Sequence, residues 1–287
     1  MGRRAKQSTP APPARRLTRL RLRNATAQFA TFPLEIVRPI VTMTAQNNIG
    51  DYPRWVAQTL ALVCREFQAA VEPVLIDTVR ITSKNQQSIL SQMGRFEHTR
   101  HFISHDHKCK QFPPLRSLVS FTGRGKGLNV IITAGCKPSH LTLGRASWGY
   151  RGVMVSVTHL HLQYANLPIN WEIKSFPNLT HIVLSLEYDS QRHFNDIAIN
   201  VSHLLSPTLK LQRILIRPYH MPPETVSIVA SRLQKVADET HDTRLWIDDT
   251  PITGADWRKK AKEHLLYEEA NEQETVWYSG RQMWGEL

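Results

Sequence analysis

The chain has 287 residues, with 36 Lys and Arg against 24 Asp and Glu, and a formal net charge of +12. At 41% hydrophobic and 21% charged it is too apolar to be wholly disordered, and it is long enough to bury a sizeable core in one or two domains. No apolar run approaches the ~18 to 20 residues of a membrane span, which predicts a soluble chain, and Cys64, Cys109 and Cys136 are too few and too far apart for a disulfide framework, which fits a reducing, intracellular compartment.

The charge is unevenly placed. Residues 1–23 hold eight basic groups and no acid, residues 107–171 hold eight more and again no acid, and the stretch from Ala261 onward carries −4. Residues 1–28 therefore form a basic tail. With Pro10, Pro12 and Pro13 and no apolar core, the tail fits a solvated arm, a nuclear or mitochondrial address or an anion-binding arm better than a secretory signal. The expected compartment is the cytoplasm or the nucleus.

Order is expected from Phe29. FPLEIVRPI, Phe32 to Ile40, predicts a helix capped by Thr31, with Pro33 in its first turn and a kink or end at Pro39. After a polar loop from Gln46 to Pro53, the spacing of Val56, Leu60, Val63, Phe67 and Ala70 predicts one continuous helix ended by Glu72-Pro73. Alternation then predicts a strand from Leu75 to Ile81. The expected boundaries are a helical module at 29–73, a repeat array at 74–252 and a closing segment at 253–287.

Within the array, VTHLHL (157–162), LTHIVL (179–184) and LQRILI (211–216) fit L-x-x-L-x-L with conservative exchanges. PSHLTL (138–143), DTRLWI (242–247) and HTRHFI (98–103) fit its second half. Helix-capable segments lie between them, as in a leucine-rich solenoid whose units cover one another's apolar faces. Arg100, His140, His159, His181, Arg213 and Arg244 are taken as equivalent positions. The first interval between them is about twice the second, and the last two are about half as long again as the two before them. The repeat is therefore irregular, and a further unit is expected near Leu115 to Phe121. An unrelated α/β sheet shows the same alternation. Beyond the last strand a helix from Asp256 to Glu274, followed by Trp277, Met283 and Trp284, is expected to close the open end of the array. Glu268, Glu269, Glu272 and Glu274 form its solvated side.

F-P-L-E-I-V at 32–37 and LALVCREFQAAVEPVLIDTVRI at 60–81, followed by T-H-L-x-L strands, resemble the F-box-like proteins of mushroom-forming fungi. The fold that the resemblance implies is α/β, a small N-terminal helical F-box-like module before an irregular leucine-rich-repeat-like solenoid with a C-terminal capping helix. The implied role is noncatalytic: a substrate adaptor that docks on a Skp-type adaptor within a cullin (SCF) ubiquitin ligase and contributes proximity. The matching positions are Pro33, Leu34, Ile36, Ile40, Leu60, Val63, Cys64 and Phe67. Pro33, Leu34, Ile36 and Ile40 are the adaptor-binding candidates, while Leu60, Val63 and Phe67 are expected in the module's own core. The chain departs from the family pattern at Phe32, where Leu is usual, and at Pro39.

Nothing in the sequence supports catalysis or a cofactor. His98, His101, His105, His107 and Cys109 are zinc-ligand types, but their spacing splits them between strand faces and no second pair is near. G-R-G-K-G at 123–127 lacks the hydroxyl that a P-loop places after its lysine and is expected to be a turn. His140, His159 and His181 occupy equivalent strand positions and are expected to form a row on the exposed sheet face. The acid-free stretch supplies the candidate surface for an acidic target protein, namely Arg116, Arg124, Lys126, Lys137, Arg145, Trp148, Tyr150 and Arg151. The alternatives are a basic nucleic-acid-associated protein and a repeat scaffold that has lost the ligase adaptor; no recognisable nucleic-acid module is present.

Overall fold

The computed structural model describes residues 33–49, 52–104, 111–112, 115–144, 153–163, 173–187, 192–249 and 273–285. The basic tail lies outside them.

Helix α1, Leu34–Asn48, opens directly behind Pro33, whose carbonyl accepts from the backbone N–H of Ile36 and Val37. Val37, Val41 and Ala45 recur every four residues and are buried. The helix runs through Pro39 without interruption, contrary to the expected kink. Glu35 and Pro39 both lie on the exposed side, where water can take the bond that the ring cannot make.

The single helix expected after Pro53 is instead two. A turn at Pro53–Trp55 passes into a π-helical turn, Val56–Leu60, the chain straightens at Cys64, and α2 begins as Arg65–Asp77. Val56 and Leu60 on the first piece and Phe67, Val71 and Val74 on the second still meet in one core, so the regular spacing survives the break and conceals it. Val63, expected in that core, falls in the turn and is 54% exposed. Helix α2 also passes Pro73, which is exposed, and ends at Asp77, so strand β1 is Thr78–Ile81 and begins later than the expected Leu75.

The remaining elements are α3 (Gln86–Leu90), a 3-10 turn (Met93–Phe96), β2 (His101–Ser104), β3 (Ser120–Gly123), α4 (Gly125–Thr133), β4 (His140–Leu143) and β5 (His159–Gln163). They continue with β6 (His181–Glu187), α5 (Arg192–Leu204), β7 (Arg213–His220), α6 (Pro223–Thr240), β8 (Leu245–Ile247), α7 (Gln273–Tyr278) and β9 (Arg281–Gln282). Among the described residues the strands form one nine-stranded sheet in chain order. β1 to β8 are parallel, and β9 pairs antiparallel with β8. The architecture is therefore mixed α/β, a mostly parallel sheet behind an N-terminal helical layer.

All six apolar segments are strands, and the unit expected near Leu115 to Phe121 is β3. Thr78, His101, Ser120, His140, His159, His181 and Arg213 lie in register. The intervals between them are nearly equal until the last, before Arg213, which is longer because α5 is inserted there. His101, not Arg100, is thus the equivalent of His140. HTRHFI misleads because polar His101 stands where the other segments carry the residue ahead of the leucine, one place later than the pattern suggests.

Alternation decides the two faces. Leu141 and Leu143, Leu160 and Leu162, Ile182 and Leu184, Ile214 and Ile216, and Leu245 and Ile247 enter one continuous core together with residues of α4, α5 and α6. The residues between them face the other side. Two edges bound the sheet. At β1 the N–H of Thr78 bonds the carbonyl of Val74, and the Asn85 amide donates to the carbonyl of Arg80 at 2.8 Å. At the far edge β9 covers β8. Gly280 makes that return possible: its φ is +83°, and a Cβ there would sit 2.6 Å from the carbonyl oxygen of Ile247.

Candidate interaction surfaces

The first surface is on the helical layer. Val37, Val41 and Ala45 satisfy the core, and the flank of α1 beside them keeps Ile36, Ile40 and Met43 in water, each about half exposed; Leu34, in the first turn, is half exposed as well. Leu62 and Val63, displayed by the turn before α2, are 70% and 54% exposed. Ile36 and Ile40 line an apolar groove of about 240 Å³ whose floor includes Val41, Leu60 and Phe67. Of the sequence-predicted residues, Ile36 and Ile40 therefore meet at the groove, while Pro33 and Leu34 are exposed at the start of the same helix. Exposed apolar clusters of this kind mark association sites. Sequence reasoning misses Met43 and Leu62. Met43 continues the spacing of Ile36 and Ile40 and could have been found, whereas Leu62 is displayed only because the helix breaks, which its periodicity does not announce.

The second surface is the sheet face opposite the core. The imidazoles of His140, His159 and His181 stack with centroids 4.3 Å apart at each step and ring planes within 17°. A hydroxyl of the preceding residue fixes each Nδ1: Ser139 at 2.8 Å, Thr158 at 2.8 Å and Thr180 at 2.9 Å. The column continues to Arg213, whose guanidinium lies 3.6 Å from the centroid of Trp246 and donates to the carbonyl of Ser279.

The stack is not a bare row, and here the expectation is corrected. Helix α7 lies against β6, and Trp277, 3% exposed, meets His159 edge-on at 5.0 Å and His140 at 5.9 Å, while Tyr278 meets His181 at 5.7 Å. Val276 and Trp277 pack on Val183 and Leu215, apolar residues on a largely polar face. Among the described residues the C-terminal segment sends an aromatic helix onto the sheet face and places β9 at the edge, while the helix expected to close the array at 256–274 lies, up to residue 272, outside them. Burial, followed by the neighbouring His140 and His181, pushes His159 down to about 3; burial and then Arg213 lower His181. Near neutrality these two imidazoles are uncharged. The rings lie side by side and do not converge on a point, and among the described residues no group of three His, Cys, Asp or Glu could hold a metal ion. His105, His107 and Cys109 lie outside the described residues, while His101 bonds Ser120 through Nδ1 at 2.8 Å.

The predicted basic surface divides. Arg116 pairs with Glu97 at 3.1 Å and, like Lys137, is exposed on the chain entering a strand. Arg124 and Lys126 are exposed at the opposite ends of the strands, where β3 passes into α4. Gly123 permits that passage, since a Cβ there would meet the carbonyl oxygen of Ser104 at 2.5 Å, and G-R-G-K-G is not the expected turn but the end of β3, one connecting residue and the first residues of α4. Arg145, Trp148, Tyr150 and Arg151 lie outside the described residues.

No family model, curated protein or solved structure matches the chain.

Among the described residues no helix is long and apolar enough to cross a membrane. The third surface, a cleft between the helical layer and β1, has no counterpart in the sequence patterns, because its walls come from separate segments of the chain that carry no common motif.

Proposed function

We propose that the chain is a noncatalytic recognition subunit: an F-box-like helical module that docks on a Skp-type adaptor of a cullin ubiquitin ligase, followed by a leucine-rich solenoid that presents a target protein. The observation that carries the proposal is the apolar surface of α1. Ile36, Ile40 and Met43 remain outside a core that is complete without them, beside a groove sized for a few apolar side chains. The sequential, parallel order of short strands at similar intervals supports the solenoid, which gives each strand one neighbour on either side and a long open face.

The test is capture of the full chain by a Skp-type adaptor. Wild type is expected to be retained, and Ile40→Asp and Leu34→Asp to be lost, because a carboxylate in an apolar interface is left without a partner. Absence of wild-type capture overturns the ligase role. Capture unaffected by either substitution overturns this surface as the docking site.

A further inference from the structure

The middle of the open sheet face is already occupied by Trp277 and Tyr278, so a target cannot lie there while α7 is in place. Elsewhere a cleft of about 860 Å³ opens between the segment following α1 and the outer edge of β1, within the range of clefts that bind ligands. Its charged lining is all of one sign: Arg54, Arg80, Lys84 and Arg95 contribute, and no Asp or Glu does among the described residues. Arg95 is committed to Glu72, at 2.6 Å. Arg54 and Lys84 are exposed at the rim.

Among the described residues, two of the three aromatic side chains of the same cleft are exposed. Tyr52 is 61% exposed and Trp55 40%, although both belong to residue types that usually bury most of their surface. Val79, Ile89 and Phe96 provide an apolar floor. Cations at a rim, aromatics on a wall and an apolar floor are the composition of a recognition pocket whose energy comes from an anchored apolar residue and whose selectivity comes from charge.

We infer that this cleft binds an acidic segment of a partner protein, with carboxylates meeting Arg54 and Lys84 and an apolar or aromatic residue seated against Trp55. The inference rests on the proposed function only in naming that segment as part of a ligase target. The cleft adjoins the helical layer, so a segment held there would be carried beside the surface proposed to dock on the ligase.

The experiment is anisotropy of a short fluorescein-labelled peptide of Glu and Asp around a central Phe-Leu pair, titrated with the full chain. Binding is expected to be saturable, to weaken between about 50 mM and about 300 mM salt, and to fall about tenfold in Arg54→Glu/Lys84→Glu. The charge-preserving Arg54→Lys/Lys84→Arg is expected to bind near wild type. Trp55→Ala is expected to weaken the Phe-Leu peptide and to leave a Ser-Ser version, itself weaker, nearly unchanged. The tail variant Arg19→Glu/Arg21→Glu is the control and is expected to bind as wild type. Binding lost equally in tail and cleft variants, or insensitive to Arg54 and Lys84, overturns the inference in favour of a diffuse cationic effect. Tighter binding of a single-stranded oligonucleotide through the same two residues overturns it in favour of nucleic acid. None of these outcomes depends on Ile40 or Leu34, so the cleft and the adaptor surface fail separately.

Discussion

Replacing His159 by Leu should flatten the acid limb of the protein's stability. In the folded chain His159 is held to about 3, first by burial and then by the imidazoles stacked on either side. In the unfolded chain it titrates near its ordinary value of 6.5. The folded-state value is the lower one, so the unfolded state binds the extra proton. The contribution is therefore fully present above 6.5, shrinks as pH falls below that value and is exhausted near 3. Between pH 7 and pH 5 a fully shielded group of this kind would lose about 2 kcal/mol. His159 is only half-buried and water screens it, so we expect about 1 kcal/mol. His181, lowered by burial and Arg213, acts in the same direction. Urea unfolding at pH 7 and pH 5 measures the loss, and His159→Leu keeps the side-chain volume while removing the titration. Wild type is expected to lose about 1 kcal/mol more than the variant over that interval. Equal losses in the two proteins would refute the neutral His159 stack as a source of acid sensitivity.

Trp277→Ala removes the side chain that covers His159, Val183 and Leu215, and is expected to cost about 3 kcal/mol in chemical unfolding, with Trp277→Leu recovering part of it. Gly280→Ala combines a left-handed φ with a contact to the Ile247 carbonyl. It is expected to cost about 1 to 3 kcal/mol and to speed amide exchange in β9 before that in β5. Arg217 and Asp248, both buried, are 3.3 Å apart. Arg217→Met is expected to destabilise by about 3 kcal/mol because it leaves the buried carboxylate without its cation, with the Ser279 hydroxyl still donating to it, while Arg217→Met/Asp248→Leu is expected to regain most of the loss, as thermal melts would show.

The strands are legible in the sequence because leucine alternation has only one structural solution where one face is buried: Leu141, Leu160, Ile182 and Ile214 announce both the strands and their register. The helical layer is less so. Val56, Leu60, Phe67 and Val71 keep helical spacing across a break at residues 61–64, since two helices that share one core can mimic one helix. Pro39 and Pro73 read as boundaries, yet both lie on exposed helix sides where a missing backbone bond costs little. The histidine column is visible as equivalent positions, whereas its cover is not, because the contact between Trp277 and His159 joins distant parts of the chain and follows no period. For the same reason the cleft walled by Trp55 and Lys84 is a product of packing alone.

The reversal of direction at β9 has a consequence for how such a sheet behaves in a crowded solution. A parallel array built of near-equivalent units is, in principle, a template that another copy could extend, since its terminal strands offer unpaired backbone groups. Here one terminus is stopped by a side-chain amide and the other by a short strand running the wrong way, tethered through Arg281 to Asp249 at 2.9 Å. Protection against edge-to-edge pairing is thus entrusted to very few atoms. Truncation upstream of Gln273 would remove both the strand that blunts the β8 edge and the tryptophan that covers the face, and would leave that one edge open to pairing while the β1 edge stays stopped.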